Sequence, residues 1–66
     1  MQVQVNEFTY KIAEIVDNSP IINFGVDVID VDGKVTDKKY YWFNKVGESS
    51  LEDQAFAALQ KRFDQA

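Results

Sequence analysis

Residues 22–43 decide the fold, and they read INFGVDVIDVDGKVTDKKYYWF. In the first half, apolar residues recur at every second position: Ile22, Phe24, Val26 and Val28. An alternation of period two predicts a β-strand with one buried face. The second half is rich in Val, Thr and aromatic residues, which favour strands. This stretch therefore predicts two adjacent strands.

The dipeptide Asp32-Gly33 lies between the two strand-like runs and sets the turn. Such a dipeptide predicts a two-residue hairpin turn of type I′, in which both central residues adopt positive φ. The turn places Val31 opposite Lys34, and every later pair of the hairpin follows from that one.

This register separates the hairpin into two faces, because successive side chains of a strand point to opposite sides. One face is mostly apolar, and we expect the helix to cover it. It holds Ile22 with Phe43, Phe24 with Tyr41, Val26 with Lys39, and also Val28 and Val35. The reverse face carries Ile29 with Thr36, Asp27 with Lys38, Gly25 with Tyr40, and Asn23 with Trp42.

The first segment of the chain predicts a third strand, which ends at the turn-favouring residues 17–20. Phe8, Tyr10 and Ile12 share one side of it. If the connection from this strand to the next has an odd number of residues, these side chains lie on the helix face. If the number is even, they lie on the reverse face. We favour the helix face, because the core of so short a chain is thin and gains three large residues.

Two valines precede these residues with the opposite parity, Val3 and Val5. A bulge or a turn near Asn6-Glu7 reconciles the two parts. We count the whole segment as one strand.

The last segment predicts an α-helix from about Ser50 to about Asp64. Its apolar residues recur at three- and four-residue spacing and form one stripe. The stripe consists of Leu51, Ala55, Phe56, Leu59 and Phe63. Overlapping capping boxes precede it, Ser49 with Glu52 and Ser50 with Asp53.

Together these elements predict an α+β fold. We expect a three-stranded antiparallel β-meander with one C-terminal α-helix packed on one face (βββα), as a single domain over residues 1–66. A lone hairpin or helix buries too little apolar surface to be stable, so the helix and the sheet need each other.

Composition excludes several kinds of chemistry. The chain has 66 residues, with no cysteine and no histidine. It therefore lacks disulfides, thiolate nucleophiles, the commonest general base and the commonest transition-metal ligand. We expect no enzymatic activity, no cofactor and no metal site.

The segment Asp30-Val31-Asp32-Gly33 matches the start of a calcium-binding loop. A complete loop needs a third ligand two residues farther on and a bidentate glutamate at its twelfth position. This chain has Lys34 and Tyr41 there. We interpret the segment as a hairpin turn.

The charge balance disfavours attraction to anionic surfaces. Lysine and arginine number 7 and aspartate and glutamate 11, for a net charge of −4. The first residues show no charged leader followed by an apolar stretch, and no apolar run is long enough to cross a membrane. We expect a cytoplasmic protein that does not bind membranes.

The reverse face of the hairpin supplies the candidate site. Tyr40 and Trp42, flanked by Ile29 and Lys38, form a predicted contact patch, because Tyr and Trp are enriched at binding hot spots. Gly25, opposite Tyr40, leaves a predicted gap for a partner side chain. The other interpretation is that the two aromatic residues only shield backbone or join the core.

These observations predict a small acidic non-enzymatic protein–protein interaction module, such as an adaptor, an inhibitor or an antitoxin-like protein. Its partner is an unidentified protein, and a homodimer is a second expectation, since apolar groups lie on both sheet faces. The alternative is a nucleic-acid-binding domain that uses Tyr40, Trp42 and Lys38, because aromatic and basic sheet faces stack exposed bases.

Overall fold

The computed structural model describes residues 2–64, which form one antiparallel sheet and one helix. The elements are β1 (Gln2–Val5), β2 (Phe8–Asn18), β3 (Ile21–Ile29), β4 (Val35–Asn44) and α1 (Leu51–Asp64). The strands lie in the order β1-β2-β3-β4, so β1 and β4 are the outer strands. The predicted α+β class, the antiparallel meander and the C-terminal helix are confirmed. No helix in the described residues is long and apolar enough to span a membrane.

The predicted number of strands is wrong, because the sheet has four strands and not three. A turn at Asn6-Glu7 divides the first segment, and β1 folds back so that Val5 pairs with Phe8. Asn6 takes a positive φ of 56°, a conformation that asparagine adopts more readily than most residues. The change of parity after the two valines therefore marks a hairpin between two strands.

The turn between β3 and β4 is not of the predicted type. Gly33 has a φ of 81°, but Asp32 is not among the residues of positive φ, so type I′ is excluded. Asp30 instead closes a three-residue loop: its carbonyl accepts from the N–H of Gly33 at 3.0 Å, and its own N–H donates to the carbonyl of Lys34 at 2.9 Å. The Asp30 carboxylate also accepts from the N–H groups of Asp32 and Lys34, both at 2.9 Å.

A bulge beside this turn restores the predicted register. Val35, and not Thr36, pairs with Ile29, and the register then shifts so that Val28 pairs with Asp37. The longer loop and the extra residue offset each other, so every pair farther from the turn is the predicted one. The predicted position of Val35 on the helix face is wrong, because the shift places it opposite Ile29 in a largely exposed position.

A second bulge interrupts β2. Ile12 pairs with Val26 and Glu14 with Gly25, so Ala13 is an extra residue in the strand. The extra residue reverses the alternation. As a result Ile15, and not Glu14, packs against the core.

The core lies between the sheet and α1. Its largest fully buried side chains are Phe24, Ile22, Leu59 and Val26. Tyr10 packs edge-on against Phe63 with ring centroids 4.7 Å apart, and Ile12 also contacts the core. These contacts confirm that the side of β2 with Tyr10 and Ile12 faces the helix. Phe8, on the same side, remains exposed.

Helix α1 begins where the sequence predicts. The hydroxyl of Ser50 accepts a hydrogen bond from the N–H of Asp53 at 3.2 Å, which caps the first turn. Gln54 holds the preceding loop, since its side chain accepts from the N–H of Val46 at 2.9 Å and donates to the carbonyl of Ser49 at 2.8 Å. The predicted stripe faces the sheet, with two residues buried and the others partly buried.

Candidate functional site: the open face of the sheet

Helix α1 covers only one face of the sheet, and we call the other side the open face. Tyr40 and Trp42 lie on it, two residues apart on β4, and they expose 67% and 62% of their surface. The predicted neighbours are in place: Ile29 is partly buried and Lys38 is exposed on the same side. Neither aromatic residue joins the core cluster.

The predicted gap at Gly25 is present but small, because the side chains of Glu14 and Tyr40 crowd it. Gly25 is buried, and a Cβ atom built on it would lie 2.9 Å from Glu14 Oε1 and 3.2 Å from Tyr40 Cε1. The side chains from the two neighbouring strands therefore close over the glycine backbone. Tyr40 shields this backbone with one edge of its ring and still leaves most of its surface in solvent.

The part of the gap that stays open is a small hollow. It measures about 90 Å³, and its walls include Gly25, Val16, Asn23 and Tyr40. Asn23 pairs with Val16 on one side and with Trp42 on the other, so one row of side chains crosses the open face from β2 to β4. This row gives the patch an apolar end on β2.

Two exposed apolar residues of the open face are not predicted from the sequence. Val16 and Ile21 are among the exposed large hydrophobic side chains of the molecule. Val16 reaches the open face only because the bulge at Ala13 reverses the alternation of β2. The signal for it is the three-residue spacing of Ile12 and Ile15, which a regular strand with one buried face does not show.

Charged side chains form a separate row across the open face. Asp27 pairs with Lys11 on β2 and with Lys38 on β4. The ammonium group of Lys38 lies 3.8 Å from the carboxylate of Asp27. An exposed pair of this kind contributes at most about 1 kcal/mol, but it partly neutralises the lysine that the nucleic-acid alternative requires.

Elsewhere the carboxylates stabilise turns. Asp17 accepts hydrogen bonds from the hydroxyl and the N–H of Ser19, next to the cis Ser19-Pro20 peptide bond. Both hydrogen bonds lower the pKa of Asp17 below its ordinary value, and the bond from the hydroxyl has the larger effect. Within residues 2–64, no three potential metal-ligating side chains come together.

Comparison with protein-family models, with curated proteins and with solved structures finds no match for this chain.

Proposed function

We propose that the chain is a non-enzymatic protein-binding module whose contact surface is the open face of the sheet, centred on Tyr40 and Trp42. One observation carries this proposal: the two residues keep about two thirds of their surface in water while lying two positions apart on the same face of β4. Exposed aromatic area loses the stabilisation that burial gives, unless a partner covers it.

The composition of the patch favours a protein partner. Aromatic rings at its centre, partly buried Ile29 and exposed Val16 supply apolar area, and the charged row lies at one side. Apolar centres with charged margins are typical of protein interfaces. A second copy of the chain is one partner of this kind, so a homodimer through the open face is included in the proposal.

Nucleic-acid binding through Tyr40, Trp42 and Lys38 is the weaker candidate. Its best support is the aromatic pair, on which bases stack. Against it are the net charge of −4 and the carboxylate of Asp27 next to Lys38. Salt separates the two candidates, because phosphate contacts weaken steeply as the salt concentration rises and apolar contacts do not.

The test is a comparison of two single substitutions. We expect Trp42→Ala to weaken partner binding or self-association by about 2 kcal/mol or more, which is roughly thirtyfold, with little change in the melting temperature. Val31→Ala is the matched control, because Val31 is 75% exposed but lies in the hairpin loop, away from the patch.

Two results would contradict the proposal. If Trp42→Ala unfolds the protein in circular dichroism melts, Trp42 belongs to the core. If Trp42→Ala and Val31→Ala associate as the unmodified chain does, the binding surface lies elsewhere.

A further inference from the structure

The outer edge of β4 presents backbone hydrogen-bonding groups to solvent. The N–H of Lys45 donates to the carbonyl of Pro20 at 2.8 Å, so the backbone of residue 45 points towards β3. In an antiparallel pair, residues alternate between those that point to the partner strand and those that point away. Lys38, Tyr40 and Trp42 therefore direct their backbone N–H and carbonyl groups outward.

One of these outward-pointing backbone groups, the N–H of Lys38, already has a partner outside β3. The N–H of Lys38 donates to the carboxylate of Asp37 at 2.8 Å, a bond within β4 itself. This carboxylate occupies a position that the carbonyl of an added strand would take. The remaining outward groups, at Tyr40 and Trp42, belong to the two residues at the centre of the open face.

A groove runs along this edge between β4 and α1. It measures about 350 Å³ and is lined by Phe24, Tyr40, Tyr41, Trp42, Ala58 and Arg62. The guanidinium carbon of Arg62 lies 4.9 Å from the centre of the Tyr41 ring, a cation–π distance that places a positive charge at the groove wall. The edge thus offers backbone partners, apolar walls and a cation together.

Positive charge is concentrated on this side of the molecule. Six of the 7 basic residues belong to β4, to its two flanking loops or to the last turn of α1. They are Lys34, Lys38, Lys39, Lys45, Lys61 and Arg62. The same segments also hold five carboxylates, of which only Asp37 lies within β4: Asp30, Asp32, Asp37, Glu48 and Asp64. Their net charge is therefore +1, against −5 for the remaining residues, so this edge differs in sign from the rest of the chain.

The opposite edge of the sheet has the opposite sign. In the described residues β1 pairs with β2 only as far as Lys11, and a groove of about 380 Å³ lies beyond that point. Glu14 and Glu52 line this second groove. An acidic strand is therefore repelled at β2 and attracted at β4.

We infer that β4 accepts an extended acidic segment of a partner protein, which adds to the sheet as a fifth strand. In this mode main-chain hydrogen bonds supply affinity and the flanking side chains supply specificity. The inference rests on the proposed function and names the chemistry of the partner: carboxylates that face Lys39 and Arg62, alternating with apolar residues that cover Tyr40 and Trp42.

A second copy of this chain fits the β4 edge poorly. A twofold pairing of β4 with β4 brings two basic edges together, and like charges directly opposite each other destabilise a sheet. A pairing of β4 with β2 of another copy meets the bulge at Ala13, and bulges at an edge hinder strand addition. The occupant is therefore a segment of another protein.

The test uses defined peptides. We compare a capped eight-residue peptide of alternating Glu and Val, a Lys and Val peptide of the same length, and a Glu and Val peptide N-methylated at every residue, which can donate from neither edge. Trp42 is the single tryptophan of the chain and reports binding by fluorescence, and amide chemical shifts locate the peptide. We expect the Glu and Val peptide to bind at β4, and the N-methylated one to bind about tenfold more weakly or worse.

Matched variants of the protein separate the β4 edge from general charge effects. Lys39→Glu should weaken binding of the Glu and Val peptide by roughly fivefold. Gln4→Glu places the same carboxylate on β1, at the far edge of the sheet, and should leave binding nearly unchanged. Asp37→Ala frees the N–H of Lys38 and removes a negative charge from the edge, so this variant should bind more tightly.

Several results would overturn the inference. Equal binding of the N-methylated peptide would show that no strand is added, and equal effects of Lys39→Glu and Gln4→Glu would show that the β4 edge is not the site. Tight binding of a twelve-residue oligothymidylate, with no binding of any peptide, would assign the basic edge to nucleic acid.

Failure of this inference is distinguishable from failure of the proposed function. If Trp42→Ala weakens binding but N-methylation leaves it unchanged, the open face binds and strand addition is refuted. If neither Trp42→Ala nor N-methylation changes binding, both proposals are refuted.

Discussion

Tyr40 and Tyr41 are neighbours of identical chemistry, and the sheet gives them different environments. Tyr41 faces the helix, where its ring lies 5.6 Å from that of Phe24 and 4.9 Å from the guanidinium of Arg62. Tyr40 faces the open side and is 67% exposed. The difference comes from strand parity and from a single helix that covers one face, since residue type is the same in both positions.

The largest effect is expected on the covered face. Leu59 is fully buried between α1 and the sheet, so Leu59→Ala should lower the free energy of unfolding by roughly 2–5 kcal/mol. Denaturant unfolding followed by circular dichroism measures this. Gln60→Ala, on the exposed side of the same helix, is the control and should change little. A loss below about 1 kcal/mol for Leu59→Ala would mean that the helix does not pack as described.

The second-largest effect on stability is expected at the N-terminal cap of the helix. Ser50→Ala removes the hydroxyl that accepts from the N–H of Asp53 and should cost about 1 kcal/mol in unfolding free energy. Ser49→Ala is a close control, because Ser49 uses its backbone carbonyl and not its hydroxyl to bind Gln54. Equal losses in the two variants would contradict the assignment of Ser50 as the cap.

A smaller effect tests the packing of the open face around Gly25. A methyl group there presses on the flexible end of Glu14 and on the Tyr40 ring, so Gly25→Ala should be less destabilising in a Glu14→Ala background. A double-mutant cycle should give a coupling of about 0.5–1 kcal/mol. Strict additivity would show that the two side chains do not close over the glycine.

The smallest effect concerns pH. Because the pKa of Asp17 is lowered in the folded chain, its charged form favours folding above the unfolded-state pKa, and that contribution is lost as the pH falls through the folded-state pKa. Ser19→Ala removes the hydroxyl donor and keeps the N–H, so the pKa of Asp17 should rise part of the way to its ordinary value. An NMR titration of the Asp17 carboxyl measures this, and an unchanged pKa would contradict the stated cause.

Much of the difference between the helix-covered face and the open face could be predicted from the sequence. Period-two alternation is sufficient to place Tyr40 and Trp42 on the face opposite to Phe24 and Tyr41, and helical spacing is sufficient to locate α1. These predictions succeeded because hydrophobic patterning over several residues is a strong local signal.

The features that could not be predicted from the sequence depend on irregularities of single residues in the strands and turns. The β1–β2 hairpin depends on a positive φ at Asn6, and Val16 reaches the open face through the bulge at Ala13. The predicted turn type was wrong while the register was right, because a bulge at Thr36 offsets the longer loop. The small size of the gap at Gly25 depends on the side-chain conformations of Glu14 and Tyr40, which periodicity does not specify.

The most direct test of the central claim is the solvent accessibility of Trp42 in the free and the bound chain. Acrylamide quenching of its fluorescence should be efficient in dilute monomer, since 62% of the residue is exposed, and should fall when a partner or a second copy binds. A Trp42 that is shielded in the monomer would belong to the core. A Trp42 that is quenched equally in the free and the bound state would show that the open face is not the contact surface.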